Sequence, residues 1–248
     1  MKHNIAFLSI LIIFTAAIHT ADAQRFKGEI VAGCNLSQVD GDMVVGYKKA
    51  GVKAGLGAML PFSWSKYNED KRWAVSMEIL YNQKGAREKQ YDYNIDTADP
   101  LYGIKFKYHL TLHYVSIPLM LHYYDRNIWS IGIGLQYSRL INYKEIEYDW
   151  QRSTYSNHPD SAQKLNSNDI NAIVDVRCRI WQQLKIGLRF EYSINSMRTR
   201  HFRETTYYNE QTRQQRNNTL SLYLVYMINE KKTDKSKPVR ATDRTYYY

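Results

Sequence analysis

In DINAIVDVRCRIW, residues 169–181, Asp175, Arg177 and Arg179 share one parity with Asn171, and Ile173 and Trp181 stand among them. Ile170, Ala172, Val174, Val176, Cys178 and Ile180 take the other. Carboxylates and guanidiniums so spaced can neutralise one another through charge-assisted hydrogen bonds, or can line a path for ions or solutes. Residues 184–197 repeat the pattern, with Lys185, Arg189 and Glu191 set against Leu184, Ile186, Leu188, Phe190, Tyr192 and Ile194. Glu78 stands likewise against Trp73, Val75, Met77, Ile79 and Tyr81. Catalysis would need other groups, and the candidates are His109, His113, His158 and His201. His158-Pro159-Asp160-Ser161 even places hydrolytic residue types in a row. A triad, however, requires groups that converge in space, and neighbours on one polar loop do not converge by sequence alone. No Cys-x-x-Cys motif and no His-x-x-x-His pair on a plausible helix point to a metal. The reading is therefore non-enzymatic, without cofactor or metal.

A period of two specifies strands with two unlike faces. Eight segments show it or end in turn residues: 26–36, 49–60, 73–83, 105–124, 128–147, 169–181, 184–197 and 217–228. The fourth conflicts with itself, because Leu110, Leu112 and Tyr114 oppose Val115, Ile117, Leu119 and Leu121 in parity. A bulge near Tyr114–Val115, close to Pro118, is the expected remedy. Connections near 125–127 and 182–183 are tight and 61–72 is longer, while those near 37–48, 84–104, 148–168 and 198–216 are long and polar. An even strand count, alternating short and long connections, and about 9–11 residues per crossing match a membrane barrel. Aromatic pairs such as Trp73/Tyr81 and Trp129/Tyr137 fall at the ends of apolar faces, where a membrane girdle would put them. The expected fold is all-β: an eight-stranded antiparallel transmembrane β-barrel with an N-terminal signal peptide. The apolar parity then faces lipid, and Glu78, Asp175, Arg177, Arg179, Lys185, Arg189 and Glu191 form a charge cluster in the lumen. Eight strands leave an interior that side chains fill, so a salt-bridged plug is expected in preference to a diffusion pore.

The ends of the chain are read separately. Lys2 and His3, an apolar run from Ile5 to Ala17, and Ala21-Asp22-Ala23 predict a signal peptide over 1–23, cleaved before Gln24. The barrel is assigned to 24–228 and a basic periplasmic tail without periodicity to 229–248. In that tail Lys231, Lys232, Lys235, Lys237, Arg240 and Arg244 could touch anionic inner-leaflet headgroups, and Tyr246 to Tyr248 could hold a periplasmic partner. A net charge of +10 suggests nucleic acid in a cytoplasmic chain. For an exported one, outer-membrane lipid and other envelope proteins are the expected partners, and nucleic acid is not. Mean hydropathy is −0.55, which does not exclude a barrel whose strands alternate. The 22 tyrosines suit membrane–water boundaries. Cys34 and Cys178 lie on apolar parities of segments far apart, so free thiols are expected.

VAGCNLSQVDGD followed by GYKKAGVKAGLGAMLPFS resembles the opening hairpin of the PorT-family outer-membrane β-barrels of Bacteroidota. HYVSIPLMLHYY is similar to the family's Tyr-Leu-Glu-Ile-Pro-Leu-Leu segment. The specific matches are Gly33, Asn35, Ser37 and Gly41, Gly51 to Gly57, and Ile117-Pro118-Leu119. Val115-Ser116 replaces the usual Leu-Glu, so any role of that carboxylate is missing here. The resemblance implies an eight-stranded outer-membrane barrel and, through the founding member, a part in type nine protein secretion. A structural or adhesive barrel binding ligands through its loops is the alternative function, and a lipid- or peptide-acting enzyme at the barrel rim the third.

Overall fold

The computed structural model describes residues 26–42, 46–62, 73–87, 108–125, 128–149, 154–157, 165–203 and 210–229. Ten strands run in chain order: β1 (Lys27–Asp40), β2 (Lys49–Phe62), β3 (Trp73–Arg87), β4 (His109–Asp125), β5 (Trp129–Asp149), β6 (Thr154–Asn157), β7 (Asn168–Trp181), β8 (Leu184–Ser193), β9 (Arg198–Arg203) and β10 (Glu210–Ile228). Eight of them form a ring in the order β1-β2-β3-β4-β5-β7-β8-β10, and β10 closes on β1. Every pairing is antiparallel; Val31, for example, faces Gly55 of β2 on one side and Val225 of β10 on the other. The short strands β6 and β9 pair only with β5 and β10, prolonging those hairpins at the end of the long connections. Closure matters because an open edge would leave backbone N–H and C=O groups unpaired, and hydrocarbon offers them no partner.

The alternation sorts residues in the reverse of a soluble core. Leu56 is 64% exposed and Ile133 60%, whereas the whole of Arg177 and Arg189 is 0% exposed. Outward rows such as Trp129, Ile131, Ile133, Leu135 and Tyr137 on β5 form a continuous apolar belt. In water that belt would forfeit roughly 25 cal/mol per Å² of apolar surface; in lipid it is at no disadvantage. No helix among the described residues is long and apolar enough to cross a membrane.

The expected bulge in the fourth segment is not where the sequence suggested. β4 alternates without interruption, so Leu110, Leu112 and Tyr114 point inward and Val115, Ile117, Leu119 and Leu121 outward. The irregularity lies on the partner strand: His113 faces Asn142 and Tyr114 faces Leu140, leaving Ile141 of β5 as the extra residue. The inward apolar residues of β4 are not misplaced. They join Val39, Ala86, Tyr108, Leu165 and Met197 in an apolar cluster at the long-loop end. A second cluster, including Met59, Ala74, Tyr124, Val225 and Met227, fills the tight-turn end.

Candidate functional site

The lumen between these ends is where charged residues meet. Register places Asp175 of β7 beside Arg189 of β8, and Arg177 beside Gly187. On the opposite wall Gly57 of β2 lies between Glu29 of β1 and Glu78 of β3. A glycine there leaves room for carboxylates on both sides, and Arg177 spans the lumen to reach them. Its Nη1 donates to Glu29 Oε1 at 2.9 Å, its Nη2 to Glu78 Oε1 at 2.6 Å, and its Nε to Asp175 Oδ2 at 2.7 Å. Arg189 forks onto Glu78, with Nη1–Oε2 and Nη2–Oε1 both 2.9 Å, and its Nε is 3.3 Å from Asp175 Oδ1.

Tyr223 of β10 completes the group. Its neighbours in register are Gly33 on β1 and Gly187 on β8, and a Cβ on either would overlap the tyrosine. The ring therefore lies down in the lumen, with the Arg189 guanidinium 4.9 Å and that of Arg177 5.8 Å from its centroid. Its hydroxyl donates to Asp175 Oδ1. Such contacts add cation–π attraction to the ion pairs.

A second group adjoins the first through strand β8, where Glu191 follows Arg189 on the same face. Glu191 accepts from Lys53 Nζ at 2.5 Å on one oxygen. Its other oxygen lies 2.7 Å from Lys84 Nζ and accepts from Gln136 Nε2 at 3.0 Å. Three carboxylates thus face two guanidiniums in the first group, and one carboxylate faces two ammoniums in the second. Together, four anions balance four cations. Neither half is neutral alone, so the two groups need one another in a medium where an uncompensated charge is costly. Nearer the long-loop mouth, Arg198 of β9 holds Glu145 of β5 through two bonds of 2.6 and 2.8 Å, and Tyr108 donates to the same carboxylate at 2.9 Å.

Of the seven residues picked from the sequence, Glu78, Asp175, Arg177, Arg189 and Glu191 belong to this network. Lys185 is buried too, but its Nζ lies 5.0 Å over the Tyr124 ring. Arg179 is half-buried and still in register with the inward Lys185; the register slips beyond it and turns Trp181 out to 68% exposure. Residues beyond that selection are Glu29, Lys53, Lys84, Gln136, Tyr223 and the Arg198–Glu145 pair. Glu29 and Lys53 carried a legible signal, since Ile30, Ala32, Cys34 and Leu36 in one strand, and Val52, Ala54, Leu56 and Ala58 in the other, define the opposite parity. The bulge at Ile141 hid Glu145, and Arg198 belongs to a loop hairpin.

The described histidines stand apart from one another. His109 and His113 occupy outward positions on β4, where His113 Nδ1 is 2.6 Å from Tyr81 OH. His122 is inside, with Nε2 2.8 Å from Ser76 Oγ. His158, the His201 side chain, residues 1–23 and the tail cations from Lys231 to Arg244 lie outside the described residues. Cys34 and Cys178 are free thiols. Among the described residues no group of three or more His, Cys, Asp or Glu could hold a metal.

A closed antiparallel ring with an apolar exterior and a charged, filled interior defines an integral outer-membrane β-barrel. The chain belongs to the family described as outer membrane protein beta-barrel domain, whose pattern it matches over residues 15–198. None of the curated proteins matches the sequence. Solved structures with a similar course include Ail, the attachment invasion locus protein of Yersinia pestis, in complex with the heparin analogue sucrose octasulfate. It is 11% identical at a TM-score of 0.42, over 82% of this chain and 99% of that one. Neisserial surface protein A is 8% identical at a TM-score of 0.41, over 81% and 96%. AlkL, solved in lipid bilayers, is 13% identical at a TM-score of 0.32, over 85% and 93%.

Proposed function

We propose that this protein is a non-enzymatic, non-conducting barrel that presents its long loops at the cell surface, with both termini in the periplasm. The observation that carries the reading is the filled lumen: Glu29, Glu78, Asp175, Arg177, Arg189, Lys53, Lys84 and Glu191 have no exposed side-chain surface. An eight-stranded cylinder has little width to spare, and here ion pairs and two apolar clusters use it. A rigid cylinder of this kind is a support, and recognition falls to its loops. Planar-bilayer recording of the purified barrel tests this, with silence expected; sustained single-channel conductance would overturn it.

The resemblance at Gly33, Asn35, Ser37, Gly41 and Ile117-Pro118-Leu119 supports a narrower reading, an accessory role in type nine protein secretion. Deletion followed by quantification of exported proteins separates the cases. Cargo retained in the periplasm supports secretion; unchanged export with altered adhesion or envelope integrity supports a structural or adhesive barrel. An activity lost on substitution of His158 or His201, with the barrel still folded, would make it an enzyme. The cations from Lys231 to Arg244 are then periplasmic, within reach of inner-leaflet headgroups or a soluble partner.

A further inference from the structure

On the outside of β3, β4 and β5 the apolar belt ends along one line. Below it the outward residues are Ile79 and Tyr81, Ile117 and Val115, Leu135 and Tyr137, all exposed. Above it the same three rows continue as Arg87, as His113, Thr111 and His109, and as Arg139, Asn142 and Lys144. Pairing joins them into one patch: Arg139 beside Val115, Asn142 beside His113, Lys144 beside Thr111, and Arg87 beside His109. The bulge at Ile141 makes this surface. Without the extra residue, parity would send Lys144 into the lumen and Glu145 outward; with it, Lys144 is exposed and Glu145 is buried against Arg198. Re-aiming side chains is what bulges do.

The patch is basic: Arg139 meets an amide oxygen, and His109 meets a further cation. Arg139 Nη1 donates to Asn168 Oδ1 at 2.6 Å, and Lys49 Nζ lies 2.9 Å from His109 Nε2. No described carboxylate shares these outward positions. The opposite wall differs: there Asp40 of β1 accepts from Gln38 at 2.9 Å and from Asn218 of β10 at 3.3 Å. Two boundary tyrosines mark the height, with Tyr137 OH 2.9 Å from the same Asn168 Oδ1 and Tyr81 OH beside His113.

The geometry points to a docking surface for the phosphate-bearing headgroup of a lipid in the leaflet at the long-loop end, with Arg87, Arg139 and Lys144 as its cations. Continuity argues for a lipid over a soluble anion, because acyl chains under that headgroup would lie on the belt that the same three strands already present. Charge argues for phosphate, because exposed guanidinium and ammonium groups with no described carboxylate beside them attract anionic headgroups. Assigning the leaflet to the cell surface rests on the orientation proposed above; the lipid contact does not.

The test is native mass spectrometry of the folded full chain in detergent, titrated with a bisphosphorylated glycolipid, its dephosphorylated form and soluble polyphosphate. The phosphorylated lipid should be retained at least about tenfold better than the dephosphorylated form, since each cation near an anionic surface contributes roughly a fivefold factor. R87Q/R139Q/K144Q should lose that preference, and K27Q/R213Q/R216Q, which removes equal charge elsewhere, should keep it. Equal retention of the two lipids, equal loss in both variants, or displacement by polyphosphate as effective as by lipid would overturn the proposal. Heat-resistant gel mobility confirms that each variant folds; if the triple variant does not, K144Q alone, altering one exposed side chain, should still reduce the preference. Labelling a cysteine placed at Asn142 in intact cells reads orientation separately, so a buried label would refute the orientation and leave the lipid result standing.

Discussion

The two faces of one strand obey opposite rules in this protein. Along β7, Ile170 and Val174 are exposed to lipid while Asp175 and Arg177 are buried among partners on their own strand and on strands up to three away. An outward residue answers only to its solvent, so any apolar side chain of moderate size serves. An inward residue answers to particular atoms contributed by β1, β3, β8 and β10. The outer face is therefore tolerant in kind and the inner face specific in detail.

The largest break in that contrast should come from Arg177→Glu, which sets a fourth carboxylate against Glu29, Glu78 and Asp175. Losing one partner of a buried pair costs about 3–5 kcal/mol and reversal costs more, so no heat-resistant band is expected on gels; wild-type mobility would mean that the network does not hold the barrel. Ile133→Arg attacks the outer face at mid-belt and should lower stability by about 2–4 kcal/mol in urea titrations of the bilayer-inserted protein. An unchanged midpoint would show that Ile133 does not face lipid. Gly187→Val disturbs neither solvent nor charge. It should still cost about 1–3 kcal/mol through overlap with the Tyr223 ring, and the near-ultraviolet signal of that tyrosine should change with it. The smallest effect is the most instructive. Replacing Glu29, Lys53, Lys84 and Glu191 together by Leu, Met, Met and Leu should leave stability within about 1 kcal/mol, because two anions leave with two cations and Glu78 and Asp175 still balance Arg177 and Arg189. A collapse of the quadruple variant comparable with Arg177→Glu would mean that these charges specify the fold as well as fill it.

Much of this was readable without a structure. Strand number, the lipid-facing parity of Trp73 to Tyr81 and of Trp129 to Tyr137, and the inward placing of Asp175, Arg177 and Glu191 follow from period two, which ties each residue's face to its neighbours'. Local alternation could not locate an extra residue. Ile141 reads like any other outward isoleucine, and only its failure to pair with β4 exposes the bulge that buries Glu145 and turns Lys144 out. For the same reason Trp181 reads as an inward residue in line with Arg179 until the slip before it turns it out.

The sequence by itself therefore determined the strands, their two faces and the kind of environment each face requires, because those depend on bond geometry and on the solvent preference of single side chains. Only the closed ring decided which charges meet. Glu29, Glu78, Arg177, Arg189 and Tyr223 come from five strands, and their contacts depend on the registers of pairings around the whole barrel. A two-residue change in any of those registers would keep every face as it is and give the ions different partners.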